Sequence, residues 1–308
     1  MRKTEFTYKS SNEKTDIRAV LWLPDGEIKA VLQIAHGITE HILRYEDIAL
    51  YLTANSIAVV GNDHIGHGLS INNDTIPMYF GPCGSWNYVV KDVIKLKYLV
   101  QEKIGEYPTF ILGFSLGSFV VRNILIDYPN IYDKAILIGT GYISHIEAMI
   151  AKIMTNKEAK KHGEDKTTKL VKQLAFDTYN KFFKPNDTEF DWLCSDKGEL
   201  NIYIEDSLSY KTITCGLFRE LLQGMDYSCN KNNIKKMNKI VNIIMFSGDK
   251  DPVGKEGKGV EKVYQLFKNN GINNCDMKIY SNLRHDILHE INKKVVYGDI
   301  LSWIEKNY

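Results

Sequence analysis

A serine between two glycines, GFSLG at Gly113 to Gly117, constrains this chain more than any other feature. An apolar run, Thr109-Phe110-Ile111-Leu112, precedes it, and a run with helical character, Ser118 to Tyr128, follows. A serine at such a strand-to-helix turn is a nucleophile elbow, so tight that the residues two before and two after it must be small. Gly113 and Gly117 meet that requirement. Ser115 then projects from the carboxyl edge of a sheet, where it can attack a carbonyl carbon.

The rest of the chain supplies the sheet. Glu5 to Tyr8 and Asp16 to Leu23 alternate in polarity like paired strands. Ala30 to Ala35, Ile57 to Val60, Phe110 to Phe114 and Ala135 to Ile138 are short apolar runs, with helical patterns at Tyr45 to Asn55 and Trp86 to Lys103. From about Gly141 to Asn238 the buried-strand runs stop and the chain becomes helix-rich and lysine-rich. They resume at Val241 to Phe246 and Asp276 to Tyr280, around a helix near Gly259 to Lys268 and before a closing helix from about His289 to Glu305. Alternating buried strands and helices give a mostly parallel sheet covered on both faces. The expected organisation is one α/β core, residues 1–140 and 239–308, with residues 141–238 inserted as a helical cap over the site.

A serine hydroxyl needs a base, and the base needs a carboxylate to orient it. In this architecture the order is serine, acid, histidine, each in a loop after a strand. Ile243 to Phe246 leads into Ser247-Gly248-Asp249-Lys250-Asp251-Pro252, and the next strand leads into Ser281-Asn282-Leu283-Arg284-His285. Asp251 is the preferred acid, because Pro252 fixes its loop, which leaves Asp249 to cap a turn or face solvent. His285 follows its strand directly and is the preferred base, with His289 left at the start of the last helix. The oxyanion of a tetrahedral intermediate needs two main-chain donors. Leu116 N–H, at a helix start, is one; Ile38 N–H, in the His36-Gly37-Ile38 loop, is the other. His36 has a structural part in this scheme.

These blocks resemble the monoacylglycerol lipase and lysophospholipase branch of the α/β-hydrolases, whose bacterial members are often labelled serine aminopeptidase S33. The similar stretches are HGITEHILRY (36–45), DHIGHGLS (63–70), GFSLGS (113–118), GDKDPV (248–253) and RHDILHE (284–290), with DWLCSD (191–196) in the insertion. The resemblance implies an α/β-hydrolase core with an eight-stranded sheet and Ser115, Asp251 and His285 as a triad. It implies Ile38 and Leu116 as oxyanion donors, and Glu40 and Arg44 beside the pocket, where matching residues bind the glycerol end. It gives the block around Asp63, His64 and His67 a structural part rather than a metal. The chain departs in one place: the second histidine stands four residues after His285, where the lipases have it three after, which leaves the polar head group open.

Two apolar stripes in the insertion have two readings. They are Ile146, Met149, Ile150, Ile153 and Met154, and Leu217, Phe218, Leu221, Leu222 and Met225. Either they pack helices on one another and on the core, or they form an acyl tunnel or a lip that touches lipid. Composition narrows the partners. With 39 basic and 38 acidic residues the net charge is +1, a balance that argues against nucleic acid as the main partner, since phosphate binding needs a clustered basic surface. Five scattered cysteines without a CxxC pair fit free thiols rather than a disulfide or zinc framework. No apolar core follows the basic N-terminus, and no run approaches the roughly 18 apolar residues of a membrane span. The expectation is a cytoplasmic serine ester hydrolase that needs neither metal nor organic cofactor and takes an ester or lipid substrate. An amidase or aminopeptidase, or a non-catalytic receptor on the same fold, are the alternatives.

Overall fold

A computed structural model describes all 308 residues. Eight strands form one sheet: β1 (Arg2–Lys9), β2 (Asp16–Leu23), β3 (Ala30–Ala35), β4 (Ile57–Asn62), β5 (Thr109–Phe114), β6 (Lys134–Ile138), β7 (Asn242–Gly248) and β8 (Cys275–Tyr280). Their order is β1-β2-β4-β3-β5-β6-β7-β8. β2 runs antiparallel to both neighbours, and every pairing from β4 to β8 is parallel.

Parallel strands covered on both faces must be apolar throughout, and β3 and β4 are buried along their whole length. Side chains alternate across the sheet, so β5 sends Ile111 to one core and Phe110 and Leu112 to the other. The first core is closed by helices α2 (Trp86–Ile104) and α3 (Leu116–Asp127), and the second by α1 (Glu46–Thr53) and the C-terminal helix, Lys293–Glu305. All carboxyl ends of the parallel strands therefore open on one edge, where ligand sites of open α/β sheets form.

Between β6 and β7 the chain contains only helices and loops. The long helices are α4 (His145–His162), α5 (Lys197–Glu205) and α6 (Cys215–Cys229). Their starts are written in the sequence: Ser144 and Glu147 make a reciprocal capping box, Asp196 caps α5 and Thr214 caps α6. α7 (Lys258–Lys268) and α8 (Lys293–Glu305) complete the chain. No helix is long and apolar enough to cross a membrane, and all five cysteines are unpaired.

One expectation changes, and one choice left open is narrowed. The last helix begins at Lys293, not near His289. His289 bonds the Asp286 carboxylate and the Arg44 carbonyl, and Glu290 accepts from Arg284 N and Ser195 N. These tertiary bonds hold residues 286–290 in a turn. The α4 stripe, in turn, is not core: Ile146, Met149, Ile150 and Ile153 are exposed. The buried face of α4 carries Ala148, Thr155 and Ala159, small side chains that let it lie close to α6 and leave the large ones outside.

Two charged residues, Glu220 and Arg122, join the insertion to the core, and Arg219 braces the first from within the insertion. Glu220 of α6 accepts from the Gly84 and Trp86 amides, capping α2, whose own Ser85 makes no side-chain cap. Arg219 pairs with Glu220 and with Glu164. Arg122 of α3, wholly buried, donates to Gly141 O at 2.9 Å and Ser228 O at 2.9 Å, and so grips the chain near both ends of the insertion. Replacing it by leucine leaves both carbonyls without a donor, at about 1–3 kcal/mol each. Arg122→Leu is expected to lose about 2–4 kcal/mol in urea unfolding; a loss under about 0.5 kcal/mol contradicts the clamp.

Candidate active site

Ser115 sits between β5 and α3 with φ 49° and ψ −115°. A positive φ in a residue with a side chain costs about 1–3 kcal/mol and persists only where its surroundings impose it. Here the surroundings are the crossing of two backbones. A Cβ on Gly117 would stand 1.9 Å from Ala35 O, and one on Gly113 would stand 2.4 Å from Gly117 O. The turn is also tied down by bonds, Ser115 N to Ile138 O at 2.9 Å and Ser118 Oγ to Ser115 O at 2.6 Å.

The loops after β7 and β8 bring Asp251 and His285 to the same edge. Asp251 is fully buried and its carboxylate can only accept. It takes bonds from Val253 N at 2.8 Å, Ser247 Oγ at 3.2 Å and His285 Nδ1 at 2.8 Å. Nδ1 therefore carries the hydrogen, and Nε2 keeps its lone pair. Ser115 and His285 line one small cleft, although they make no hydrogen bond to each other. Such bonds are commonly loose before substrate arrives. Asp249 accepts from Asn282 N at 2.7 Å and caps a turn, as expected.

Leu116 N opens α3 and so lacks an intrahelical partner, as the first amides of any helix do. Ile38 N donates to no protein acceptor, and both residues line the cavity above Ser115. Gly37 is required by space rather than by φ: a Cβ there would stand 2.8 Å from Glu40 Oε1 and 2.9 Å from Phe114.

Glu40 and Arg44 line the cleft inside a buried network. Glu40 accepts from Gly37 N, Tyr45 OH at 2.7 Å and Arg44 Nε at 3.2 Å. Arg44 continues to Asp286 Oδ2 at 3.2 Å and lies over the Tyr203 ring at 5.0 Å, with Nη1 free of any protein acceptor. Asp286 also bonds His289 Nδ1 at 2.8 Å. Sequence reasoning gave no role to Asp286, Tyr203 or Trp192, although Asp286 lies in the RHDILHE block and Trp192 in the DWLCSD block.

Two spaces meet at Ser115. One is an apolar cavity of about 280 Å³, lined by Phe119, Phe218, Leu221, Leu222, Met225 and Trp192 among others. The other is the polar cleft of about 20 Å³, with Thr39, Glu40, Arg44, Tyr203 and Asp286. Four residues of the α6 stripe thus line the cavity, while the α4 stripe does not.

His36, His64 and His67 pack ring to ring below this edge, with centroids 4.0 Å apart for the first two. Burial pushes all three down, His64 to about 3 and His67 to about 4. Both nitrogens of His36 are engaged, by Gly37 O and His64 N, and no acidic, cysteine or histidine group has metal-holding geometry.

Residues 26–292 match the serine aminopeptidase, S33 family. The chain belongs to that family. This S33 hydrolase is 24% identical over 292 residues to a monoglyceride lipase homolog of Monkeypox virus, covering 92% of each chain. To a monoacylglycerol lipase of Mycolicibacterium smegmatis it is 23% identical, covering 92% of this chain and 91% of that one. Its fold is the α/β-hydrolase fold. A carboxyl esterase from Bacillus coagulans, solved in complex with glycerol, superposes over 99% of both chains with a TM-score of 0.91 and 23% identity. A monoglyceride lipase from Saccharomyces cerevisiae, solved with a substrate analog, gives a TM-score of 0.77 at 18% identity, covering 98% of this chain and 94% of that one.

The Asp286–His289 pair sets a pH window in this S33 hydrolase. Burial opposes the Asp286 charge, but His289 and Arg44 outweigh it and hold the carboxyl at about 2. Burial likewise opposes the His289 charge, and Asp286 outweighs it, raising that imidazole. The lowered acid adds stability above its ordinary value near ~3.9, lost as pH falls toward 2. The raised histidine adds stability below its ordinary value near ~6.5, lost as pH climbs through its folded value. Asp286→Asn removes the main group that opposes burial, so the His289 imidazole should fall by at least about 1 unit in an NMR titration; an unchanged value contradicts the pairing.

Proposed function

We propose that this hydrolase is a serine carboxylester hydrolase that cleaves monoacylglycerols through an acyl-enzyme. The observation that carries the proposal is the position of Ser115, at the meeting point of a 280 Å³ apolar cavity and a 20 Å³ polar cleft that also holds His285. An acyl chain takes the cavity and a small alcohol takes the cleft, which puts the ester carbonyl over Ser115.

His285 Nε2 takes the proton from Ser115 Oγ as Oγ bonds the carbonyl carbon. The Ile38 and Leu116 amides hold the oxyanion. Collapse breaks the carbon–oxygen bond, and His285 returns the proton to the departing alcohol. Water then attacks the acyl-enzyme with His285 again as base, releasing the fatty acid and Ser115. Asp251 holds the imidazole in the tautomer this needs. The roles of these residues, the insertion as a cap and the place of Glu40 and Arg44 beside the head group belong to the same proposal.

The cleft argues for a small head group. Its volume is about that of one water. A cleft of that size favours a small alcohol such as glycerol over a phosphocholine. The aminopeptidase reading is weakened by Glu40, the acid that would anchor a free amine, because Arg44, Tyr45 and Gly37 already engage it. Across p-nitrophenyl esters the rate should peak at eight carbons or longer, and Ser115→Ala should remove at least about 10³-fold of it. A peak at acetate or butyrate sinks the lipid reading, and a rate independent of Ser115 sinks the mechanism.

The exposed α4 face also supports contact with lipid. Ile146, Met149, Ile150 and Ile153 stand on the helix whose Glu147 and Ala151 line the cavity. An apolar patch beside a cavity marks a surface that meets another phase. Replacing Ile146 and Ile150 together by serine should lower activity on monoacylglycerol dispersed in vesicles at least about threefold. Hydrolysis of soluble p-nitrophenyl butyrate should not change; equal effects on both substrates exclude a surface role.

A further inference from the structure

The insertion reaches the base itself. Its segment Asp191 to Ser195 lies along the loop that carries His285 and is bonded to it at several points. His285 N donates to Trp192 O at 3.4 Å and Asp286 N to Leu193 O at 2.6 Å. Arg284 Nη1 donates to Asp191 O and, at 3.2 Å, to Cys194 O. Glu290, fully buried, accepts from Ser195 N at 3.0 Å and from Arg284 N at 2.9 Å. The segment cannot swing away without breaking these bonds.

Their consequence is the position of one ring. The Trp192 indole lies 5.2 Å from the His285 imidazole, centroid to centroid, with the planes 35° apart. Phe114, from β5, lies 5.0 Å from the same imidazole at 39°. Trp192 is 4% exposed and packed by Tyr179 at 5.1 Å and Phe176 at 6.2 Å, so its orientation is imposed.

We propose that Trp192 is a further catalytic residue of this site: its indole face stabilises the imidazolium that His285 becomes when it takes the Ser115 proton. The proposal rests on the serine hydrolase reading above. An aromatic face carries the negative lobe of a quadrupole and attracts a cation within roughly 6 Å, tryptophan most strongly and most of all away from water. The neutral imidazole gains little from it. The attraction therefore grows as the proton leaves Ser115 Oγ for His285 Nε2, and such differential binding lowers a barrier. The step moves one proton and forms one Oγ–carbon bond, and needs no other reactant.

The groups facing the imidazole are Asp251 at Nδ1, Asp286 next in the chain, Ser115 across the cleft and Tyr179 from the insertion. Beyond Asp286 stand Arg44, His289 and Glu40. Of these only Tyr179 packs on Trp192, and Trp192→Phe keeps an aromatic ring at that contact. Trp192→Leu removes the π face and keeps an apolar neighbour; Trp192→Phe keeps a weaker face. Trp192→Leu should lower the acid-limb pKa of kcat/KM on p-nitrophenyl butyrate by about 0.5–1 unit, and kcat several-fold, with Trp192→Phe in between. An NMR titration of His285 in the same proteins should move by the same amount. An unchanged limb overturns the proposal, and a raised one shows that the indole acts only by burial and overturns it as well. If Trp192→Leu melts below assay temperature, Trp192→Phe and Phe114→Leu carry the comparison, and no downward shift in either is the overturning result. Failure of the hydrolase reading is separable: it appears as wild-type turnover that does not depend on Ser115, while the His285 titration still reports on Trp192.

Discussion

The close crossing of Gly117 over the end of β3 is the constraint from which the active edge follows. With Ala35 O where a Cβ would stand, α3 can start only if residue 117 is glycine and the backbone turns sharply at Ser115. That crossing makes β3 and β5 neighbours at their carboxyl ends, with Ala35 opposite Gly113. It therefore sets the Ile38 loop beside the serine, so that Ile38 and Leu116, from distant stretches of chain, line one cavity with Ser115. The strain at Ser115 is held by the sheet beneath it, which is buried on both sides.

The insertion is anchored to the core by polar groups at separate places. Arg122 grips it near both ends, Glu220 caps α2, and the Asp191 to Ser195 segment is stitched to the His285 loop. Each joint is buried, where an unpartnered polar group costs most. Between these joints lie α4 and the turns up to Phe190. This is the stretch with an exposed apolar face. The wall of the apolar cavity is divided likewise: α6 contributes one side and residues 174–179 another.

Much of this was legible beforehand. Buried parallel strands declare themselves as unbroken apolar runs, and β3, β4, β5 and β6 fell within two residues of their expected bounds. The order of Ser115, Asp251 and His285 was legible because each follows a strand directly, and a parallel sheet delivers every strand's end to one edge. The start of the last helix was not, because His289 and Glu290 satisfy the helical period equally well and are drawn aside by Asp286, Arg44 and Arg284. The two apolar stripes look alike in sequence. Only the small residues on the opposite side of α4 turn its large ones outward.

What the sequence by itself determined is local: which runs are strands, where the elbow must be, and which side chains stand at strand ends. These depend on backbone sterics and on side-chain period, both properties of neighbours in the chain. What only the tertiary structure decided is the company those side chains keep. Trp192 against His285, Tyr203 over Arg44 and Asp286 between Arg44 and His289 join residues far apart in the chain. Such contacts depend on how an irregular insertion lands on a regular sheet. Many weak long-range terms fix that landing, and no short-range pattern records it.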